Sequence, residues 1–108
     1  MSNLVNPAIL TIANAQFDLE KKLAQSAVEG LVNRQVARIK NALESLGLHI
    51  QDPQGEVYNE TRTDLEASID GPSTENLRVV SVIKPIIFFK EDQKLLLVQR
   101  GVVIVSAV

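Results

Sequence analysis

Apolar residues recur every three or four positions through the first half of the chain, which is the spacing of an amphipathic helix. Pro7 suits the first turn of such a helix, and Asn6 is a natural N-cap ahead of it. Two apolar sets follow the spacing: Ile9, Ile12, Ala13, Leu19, Leu23, Ala27 and Leu31, then Val28, Val32, Val36, Ile39, Leu43 and Leu46. Gly47 is a natural helix stop. The pattern therefore predicts helix over residues 7–46, as one long helix or as two.

Gly30 is the weak point of this helical half. Glycine in a helix interior costs about 1 kcal/mol relative to alanine, and the apolar stripe shifts phase between Ala27 and Val32. We predict a bend or a break near residues 29–33; the alternative is a close approach of another helix at this small residue. An apolar stripe of this length must be covered by the rest of the chain or by a second copy.

From residue 48 onward the pattern becomes that of strands and turns. Residues 52–55 read Asp-Pro-Gln-Gly, a turn sequence. Residues 63–69 alternate between apolar and polar side chains, which is the period of a half-buried strand. A short helix capped by Thr61 or Asp64 is the alternative for this segment.

Two long apolar runs close the chain. Residues 77–89 are rich in Val, Ile and Phe and predict a strand, in which Pro85 marks an edge, a bulge or a break. Residues 90–94 predict a charged hairpin connection, and residues 95–105 predict a final strand with a kink at Gly101. Consecutive apolar residues mean that both faces of these strands need cover. A core closed within the domain and a face that meets a partner explain this equally well.

These elements predict an α+β protein in two parts. Residues 1–47 form a helical segment, a helix or a helix pair, and residues 48–108 form a small antiparallel β domain. The length of 108 residues suits one domain or a small domain with an appended helix. A chain of this size buries only a small core and often uses oligomerisation to complete it.

Composition removes several classes of function. The chain has no Cys, so disulfides, thiolate zinc sites and cysteine nucleophiles are excluded. Eleven Lys and Arg against 13 Asp and Glu leave no basic face, so we expect no nucleic-acid partner. No apolar run reaches the roughly 18 residues of a membrane span, and the N-terminus does not read as a secretory signal. We therefore expect a cytoplasmic protein with no membrane partner.

Catalytic side chains are scarce. His49 is the only histidine, and no nucleophile or phosphate-cradling glycine motif accompanies it. The acidic residues of 52–75 match no calcium loop and are typical of a solvated face. We expect no enzymatic activity, no catalytic residue, no metal site and no cofactor. A small enzyme with a pair of carboxylates is the alternative that the sequence leaves open.

A series of short motifs follows the first helical half in a fixed order. Leu46-Gly47 ends the helix, and Ile50-Gln51-Asp52-Pro53-Gln54-Gly55 follows, with Tyr58 three positions on. Leu65-Glu66-Ala67 comes next, and the last two motifs are Val80-Ser81-Val82-Ile83-Lys84-Pro85 and Arg100-Gly101-Val102-Val103-Ile104-Val105. From about Glu29 onward this order resembles the GrpE family, the nucleotide exchange factors of DnaK-type chaperones. The chain resembles the C-terminal part of that family, in an N-terminally shortened and divergent form.

The chain departs from the family pattern at several motif positions. The family has His-Glu-Ala where this chain has Leu65 at the first position. It has Lys-Gly where this chain has Lys84-Pro85, and Arg-Pro where this chain has Arg100-Gly101. The last hairpin is about two residues longer here, so Lys94 or Gln93 stands in for a family arginine.

The resemblance implies a mechanical function. In the family two copies dimerise through their helices, and the β domain binds the ATPase domain of a DnaK-type chaperone. The resemblance therefore implies a homodimer in which residues 1–47 are the helical dimerisation segment, a helix or helix pair in a dimer bundle. Binding favours the open domain, so that ADP leaves faster. The partner-binding residues that the resemblance implies are Val82, Lys84, Lys94 and Arg100. Ordinary roles for them are core packing for Val82, edge protection for the two lysines, and pairing with the acidic segment for Arg100. The alternative is a self-assembling structural module with no chaperone partner.

Overall fold

The computed structural model describes residues 5–25 and 29–107, with side chains at 5–25 and 33–107. Within these ranges two helices precede seven strands. The elements are α1 (Pro7–Leu23), α2 (Glu29–Ser45), β1 (Leu48–Gln51), β2 (Val57–Tyr58), β3 (Leu65–Asp70), β4 (Leu77–Lys84), β5 (Ile86–Glu91), β6 (Lys94–Gln99) and β7 (Gly101–Ala107). The predicted α+β class is confirmed. The predictions made on Ala27 and Val28, and on the side chains of Leu31 and Val32, lie outside the described residues.

The helical half forms two helices, as one of the two alternatives predicted. Asn6 caps α1, because its side-chain oxygen accepts a hydrogen bond from the Ala8 N–H at 2.8 Å. The predicted position of the break is wrong: α1 ends at Leu23, and Gly30 lies inside α2. The described part of α2 runs through Gly30 without a break, so this glycine does not interrupt the helix.

Gly47 ends the second helix, as predicted, and connects it to a strand. Its backbone has φ of 99°, a left-handed conformation that favours glycine after a helix. Its carbonyl accepts a hydrogen bond from the Lys90 N–H at 2.8 Å. A Cβ at this position would lie 2.9 Å from the ring of Phe89. The helix end and the β5 strand are therefore in direct contact.

The last two apolar runs form one long antiparallel hairpin that is bent across its middle. β4 pairs with β7, and β5 pairs with β6. The strands join two different sheets, of order β1–β5–β6 and β2–β4–β7–β3. The chain passes between the sheets at Pro85 and again at Arg100–Gly101. The break predicted at Pro85 is confirmed, whereas the single final strand predicted for residues 95–105 is in fact two strands.

One strand pair corrects the antiparallel prediction. β3 runs parallel to β7, from Leu65 opposite Gly101 to Asp70 opposite Ser106. The long segment that separates them supplies the crossover that a parallel pair requires. The sheets are therefore antiparallel-rich rather than wholly antiparallel. The short helix considered for residues 63–69 is not formed, because β3 occupies this segment.

Two hydrophobic clusters divide the molecule into three layers. Between the sheets lie Leu65, Leu77, Val79, Ile86, Val103 and Val105, with Tyr58, Ala67, Val82 and Phe88 packed against them. Between the helices and the three-stranded sheet lie Val5, Ala13, Leu43, Leu48 and Ile87, with Ile9, Leu10, Ile50, Phe89 and Val98 packed against them. The helices therefore cover a sheet of their own chain. Whether they also form a dimer bundle remains a prediction.

Candidate partner-binding surface

The candidate surface is the face of the four-stranded sheet that points away from the three-stranded sheet. Along β7, Val103 and Val105 are buried in the core between the sheets. Because side chains alternate along a strand, Val102 and Ile104 lie on the opposite face. They are half-buried, and they form the apolar centre of this outer face.

Two bulges in β4 add side chains to the outer face. The register with β7 shifts between Val79 and Ser81 and again between Val82 and Lys84. Each bulge inserts one extra residue into β4, namely Val80 and Ile83. These residues are 43% and 58% exposed. Neither residue is predicted as a site residue from the sequence. The pattern that could have indicated them is the Val-Val-Ser-Val-Ile run, because it contains too many apolar residues for a strand with regular alternation.

Two of the predicted basic residues lie at the same end of this outer face. Lys84 pairs in register with Val102, and Arg100 precedes β7 by one residue. Lys84 is exposed and makes no ion pair among the described residues. The structure therefore brings these two cations to the end where β4 finishes and β7 begins.

Arg100 is held in place by β3. Its Nη2 donates a hydrogen bond to the Leu65 carbonyl at 2.7 Å. Its Nη1 lies 3.6 Å from a carboxylate oxygen of Glu66. The side chain is still 48% exposed. The pairing with the acidic segment considered in the sequence analysis is therefore present, and the guanidinium keeps an accessible face.

The other two predicted residues lie elsewhere. Val82 pairs with Val103 and packs against the core between the sheets, which is the structural role considered for it. Lys94 pairs with Glu91 beside the tip of the β5–β6 hairpin, in the other sheet. Gln99, and not Lys94, is the β6 residue at the end near Arg100. Lys94 is therefore separated from the outer face that carries Lys84 and Arg100.

The acidic segment is organised around one arginine. Arg62 donates two hydrogen bonds to Asp64, from Nε at 3.0 Å and from Nη2 at 2.9 Å. Its Nη1 donates to Glu56 at 3.0 Å and to the Val57 carbonyl at 3.1 Å. The Arg62 hydrogen bonds hold the pKa of the Asp64 carboxyl below its usual value and raise the pKa of the guanidinium. A general acid needs the opposite shift, because it must stay protonated near neutral pH.

A cleft of about 320 Å³ lies between the helices and β1. Two of its charged groups already pair, since Lys21 Nζ lies 2.5 Å from an Asp52 carboxylate oxygen. The same ammonium lies 5.4 Å from the centre of the Phe17 ring. Gln16 is buried beside them and donates to the Val36 carbonyl at 3.4 Å. These contacts tie the helices to the sheet.

No protein-family model, curated protein or solved structure matches the chain. The fold defines an α+β protein in which a helix pair packs on a two-sheet β unit. No helix in the described ranges is long and apolar enough to cross a membrane. Residues 5–25 and 29–107 also contain no group of three or more His, Asp or Glu side chains placed to hold a metal ion.

Proposed function

We propose that the protein is a GrpE-like co-chaperone that promotes ADP release from a DnaK-type chaperone in the cytoplasm. The observation that carries the proposal is the outer face of the four-stranded sheet. There Lys84 and Arg100 lie beside an apolar strip formed by the exposed Val80 and Ile83 and the half-buried Val102. We call this surface the β4–β7 face. An apolar centre with charged anchors at its rim is the usual composition of a transient protein interface.

The partner in this proposal is the ATPase domain of the chaperone. The β4–β7 face would bury its apolar strip against that domain, while the two cations bind carboxylates at the rim. Because the protein binds the open domain more tightly than the closed one, it raises the open population and the rate of ADP loss. The protein needs no catalytic group of its own for this work.

Single substitutions on the β4–β7 face test the proposal. We expect Lys84→Ala and Arg100→Ala each to weaken binding to the isolated ATPase domain by about tenfold, because each removes a rim anchor. Ile83→Ser should weaken binding similarly by removing exposed apolar area. Affinity is measured by titration calorimetry, and circular dichroism checks that each variant is folded.

Two further cationic residues provide matched controls. Lys90 on β5 and Lys94 on β6 are both exposed and lie on the other sheet. Lys90→Ala and Lys94→Ala should change the affinity by less than about twofold, as surface charges outside an interface do. Equal losses in all the cationic variants would mean that binding follows net charge and not this surface.

A self-assembling module is the second candidate function. It is favoured by exposed apolar residues away from the β4–β7 face, namely Ile39 on α2, Leu46 directly after α2, and Leu95 and Leu97 on β6. A chain that binds no ATPase domain but changes its oligomeric state when these residues are changed would support this candidate.

A further inference from the structure

The free edge of the three-stranded sheet is apolar and regular along Leu95–Leu97, and the register shift with β5 places a bulge only beyond this run, at Val98. β6 is an end strand in the order β1–β5–β6, and no described strand pairs with its other edge. Exposed edges usually carry a central charge, a proline or an inward-pointing polar residue. Here the only charge in β6 is Lys94 at its first position, and Leu-Leu-Leu-Val follows. Leu95 is 51% and Leu97 is 40% exposed.

The turn before β6 determines which backbone groups point to this edge. Asp92 and Gln93 both have positive φ, at 52° and 66°, as in a two-residue type I′ turn. Such a turn makes Glu91 and Lys94 a hydrogen-bonded pair. Hydrogen-bonded and non-hydrogen-bonded pairs alternate along the ladder. The N–H and C=O groups of Leu95 and Leu97 therefore point away from β5, toward the free edge.

We propose that β6 pairs with β6 of a second copy, antiparallel, about a two-fold axis at Leu96. The two three-stranded sheets would then form one continuous six-stranded sheet. In an antiparallel pair, directly opposed residues lie on the same face of the sheet. When a two-fold axis normal to the sheet relates two copies of one strand, the axis must therefore pass between one residue and the same residue of the second copy. With Leu96 on the axis, Leu95 lies opposite Leu97 of the second copy and both supply their free backbone groups.

Charge selects this register over its neighbours. With the axis at Leu96, Lys94 lies opposite Val98 of the second copy, and every opposed pair between them is leucine with leucine. An axis at Leu97 would place Lys94 opposite Arg100, a like-charge pair that destabilises a sheet. An axis at Leu95 would place Gln93 opposite Leu97 of the second copy. Gln93 belongs to the turn and lies outside β6, so this register is disfavoured. The self-complementary sequence is what identifies a second copy as the occupant.

This interface is independent of the proposed chaperone docking. It uses the three-stranded sheet, whereas the β4–β7 face belongs to the four-stranded sheet. It also differs from a helical dimer bundle, because Phe17, Val36 and Leu43 of the helices are buried in their own chain. A failure of the pairing would leave the exchange proposal intact, and the reverse also holds.

Cysteine cross-linking tests the register, because the natural chain has no Cys. Leu96→Cys puts two thiols directly opposite each other in a non-hydrogen-bonded pair, where Cα atoms lie about 4.5 Å apart and a disulfide can form. We expect mild oxidation to convert most of this variant to a covalent dimer on a non-reducing gel. Leu19→Cys, 44% exposed on α1, should give less than about a tenth of that yield. Faster cross-linking at position 19, or none at position 96, would overturn the proposal.

Light scattering tests the same edge without oxidation. The unchanged chain should be a dimer, and Leu97→Lys should raise the dimer dissociation constant by about tenfold or more, because it adds the charge that protected edges carry. Leu19→Lys adds the same charge at an exposed position on α1 and should remain dimeric. A monomeric unchanged chain, or a Leu97→Lys variant that dimerises as tightly as the unchanged chain, would contradict the pairing. Circular dichroism confirms that both variants are folded.

Discussion

At the scale of single residues, the Arg62–Asp64 pair gives the fold a pH dependence. Because the pKa of Asp64 is lowered in the folded state, the pair stabilises the fold above the ordinary aspartate pKa of about 4. That stability is lost as the pH falls through the lower folded value. We expect Asp64→Asn to reduce the free energy of unfolding by about 1 kcal/mol at pH 7.

Urea titrations at a series of pH values measure this effect. The difference between Asp64→Asn and the unchanged chain should shrink as the pH falls below 4, once the native carboxyl is itself protonated. Glu60→Gln changes an exposed acid in the same loop and serves as the control. A difference that stays constant down to acid pH would show that the carboxylate charge is not the stabilising feature.

Gly101 is the residue that lets the hairpin bend between the two sheets. A Cβ there would lie 2.9 Å from Ile86 Cγ1 and 2.9 Å from Leu65 Cδ2. Since both side chains are buried, we expect Gly101→Ala to lower the free energy of unfolding by about 1–3 kcal/mol. Ser68→Ala, on the exposed face of β3, should change it by less than about 0.5 kcal/mol. Chemical denaturation compares the two, and equal effects would contradict the packing argument.

Residue-scale predictions succeeded where the chemistry is local. The Asn6 cap and the Gly47 stop depend on a few neighbouring backbone groups, and both could be predicted from the sequence. Gly101 was predicted only as a kink. Its close contacts come from Ile86 and Leu65, on two other strands, and no local pattern reveals them.

At the scale of elements, a pair of amides connects α1 to the bend of the hairpin. Asn14 Nδ2 donates to Gln99 Oε1 at 2.9 Å, and Gln99 Nε2 donates back to Asn14 Oδ1 at 2.8 Å. Gln99 also donates to the Pro85 carbonyl at 2.9 Å, at the point where the chain changes sheets. This contact holds the helix layer and both sheets together at one place.

A double-mutant cycle measures this connection. We expect Asn14→Ala and Gln99→Ala each to destabilise the fold by about 1–2 kcal/mol, with a coupling energy of at least 0.5 kcal/mol, because the two amides satisfy each other. Unfolding free energies of the four chains give the coupling directly. Additive losses would mean that the two side chains act independently.

Strand breaks were predicted unevenly from the sequence. Pro85 cannot donate to a ladder, so a break there could be read from the residue type. Arg100-Gly101 contains no such signal, so the pattern of residues 95–105 predicts one strand with a kink at Gly101. β4 pairs with one edge of β7, and β3 pairs with the other edge. Tertiary packing, and not the local sequence of β3, determines that β3 pairs there and runs parallel to β7. Neither β1 nor the two-residue β2 is predicted as a strand from the local sequence.

At the scale of the whole molecule, the three layers determine which surfaces remain for partners. The helices cover one face of the three-stranded sheet, and the two sheets cover each other. The β4–β7 face and the β6 edge keep exposed apolar residues. These two surfaces belong to different sheets, so one chain has room for a chaperone partner and a second copy at once.

The candidate site was only partly visible in the sequence. Lys84 and Arg100 were named from their motif positions, and strand pairing brings them to the same end of one face. Val82 was named from the same motif but points to the core. Val80 and Ile83 join the face through two bulges, which depend on the register with β7 and so could not be predicted from β4 alone.

The rate of ADP release from the DnaK-type chaperones of the same organism tests the central claim most directly. Fluorescent ADP is preloaded and chased with excess unlabelled nucleotide, with and without this protein. We expect acceleration that saturates with concentration, and about tenfold more of the Lys84→Ala or Arg100→Ala variant should be needed for the same effect. No acceleration for any of these chaperones would contradict the exchange function and leave self-assembly as the function of the chain.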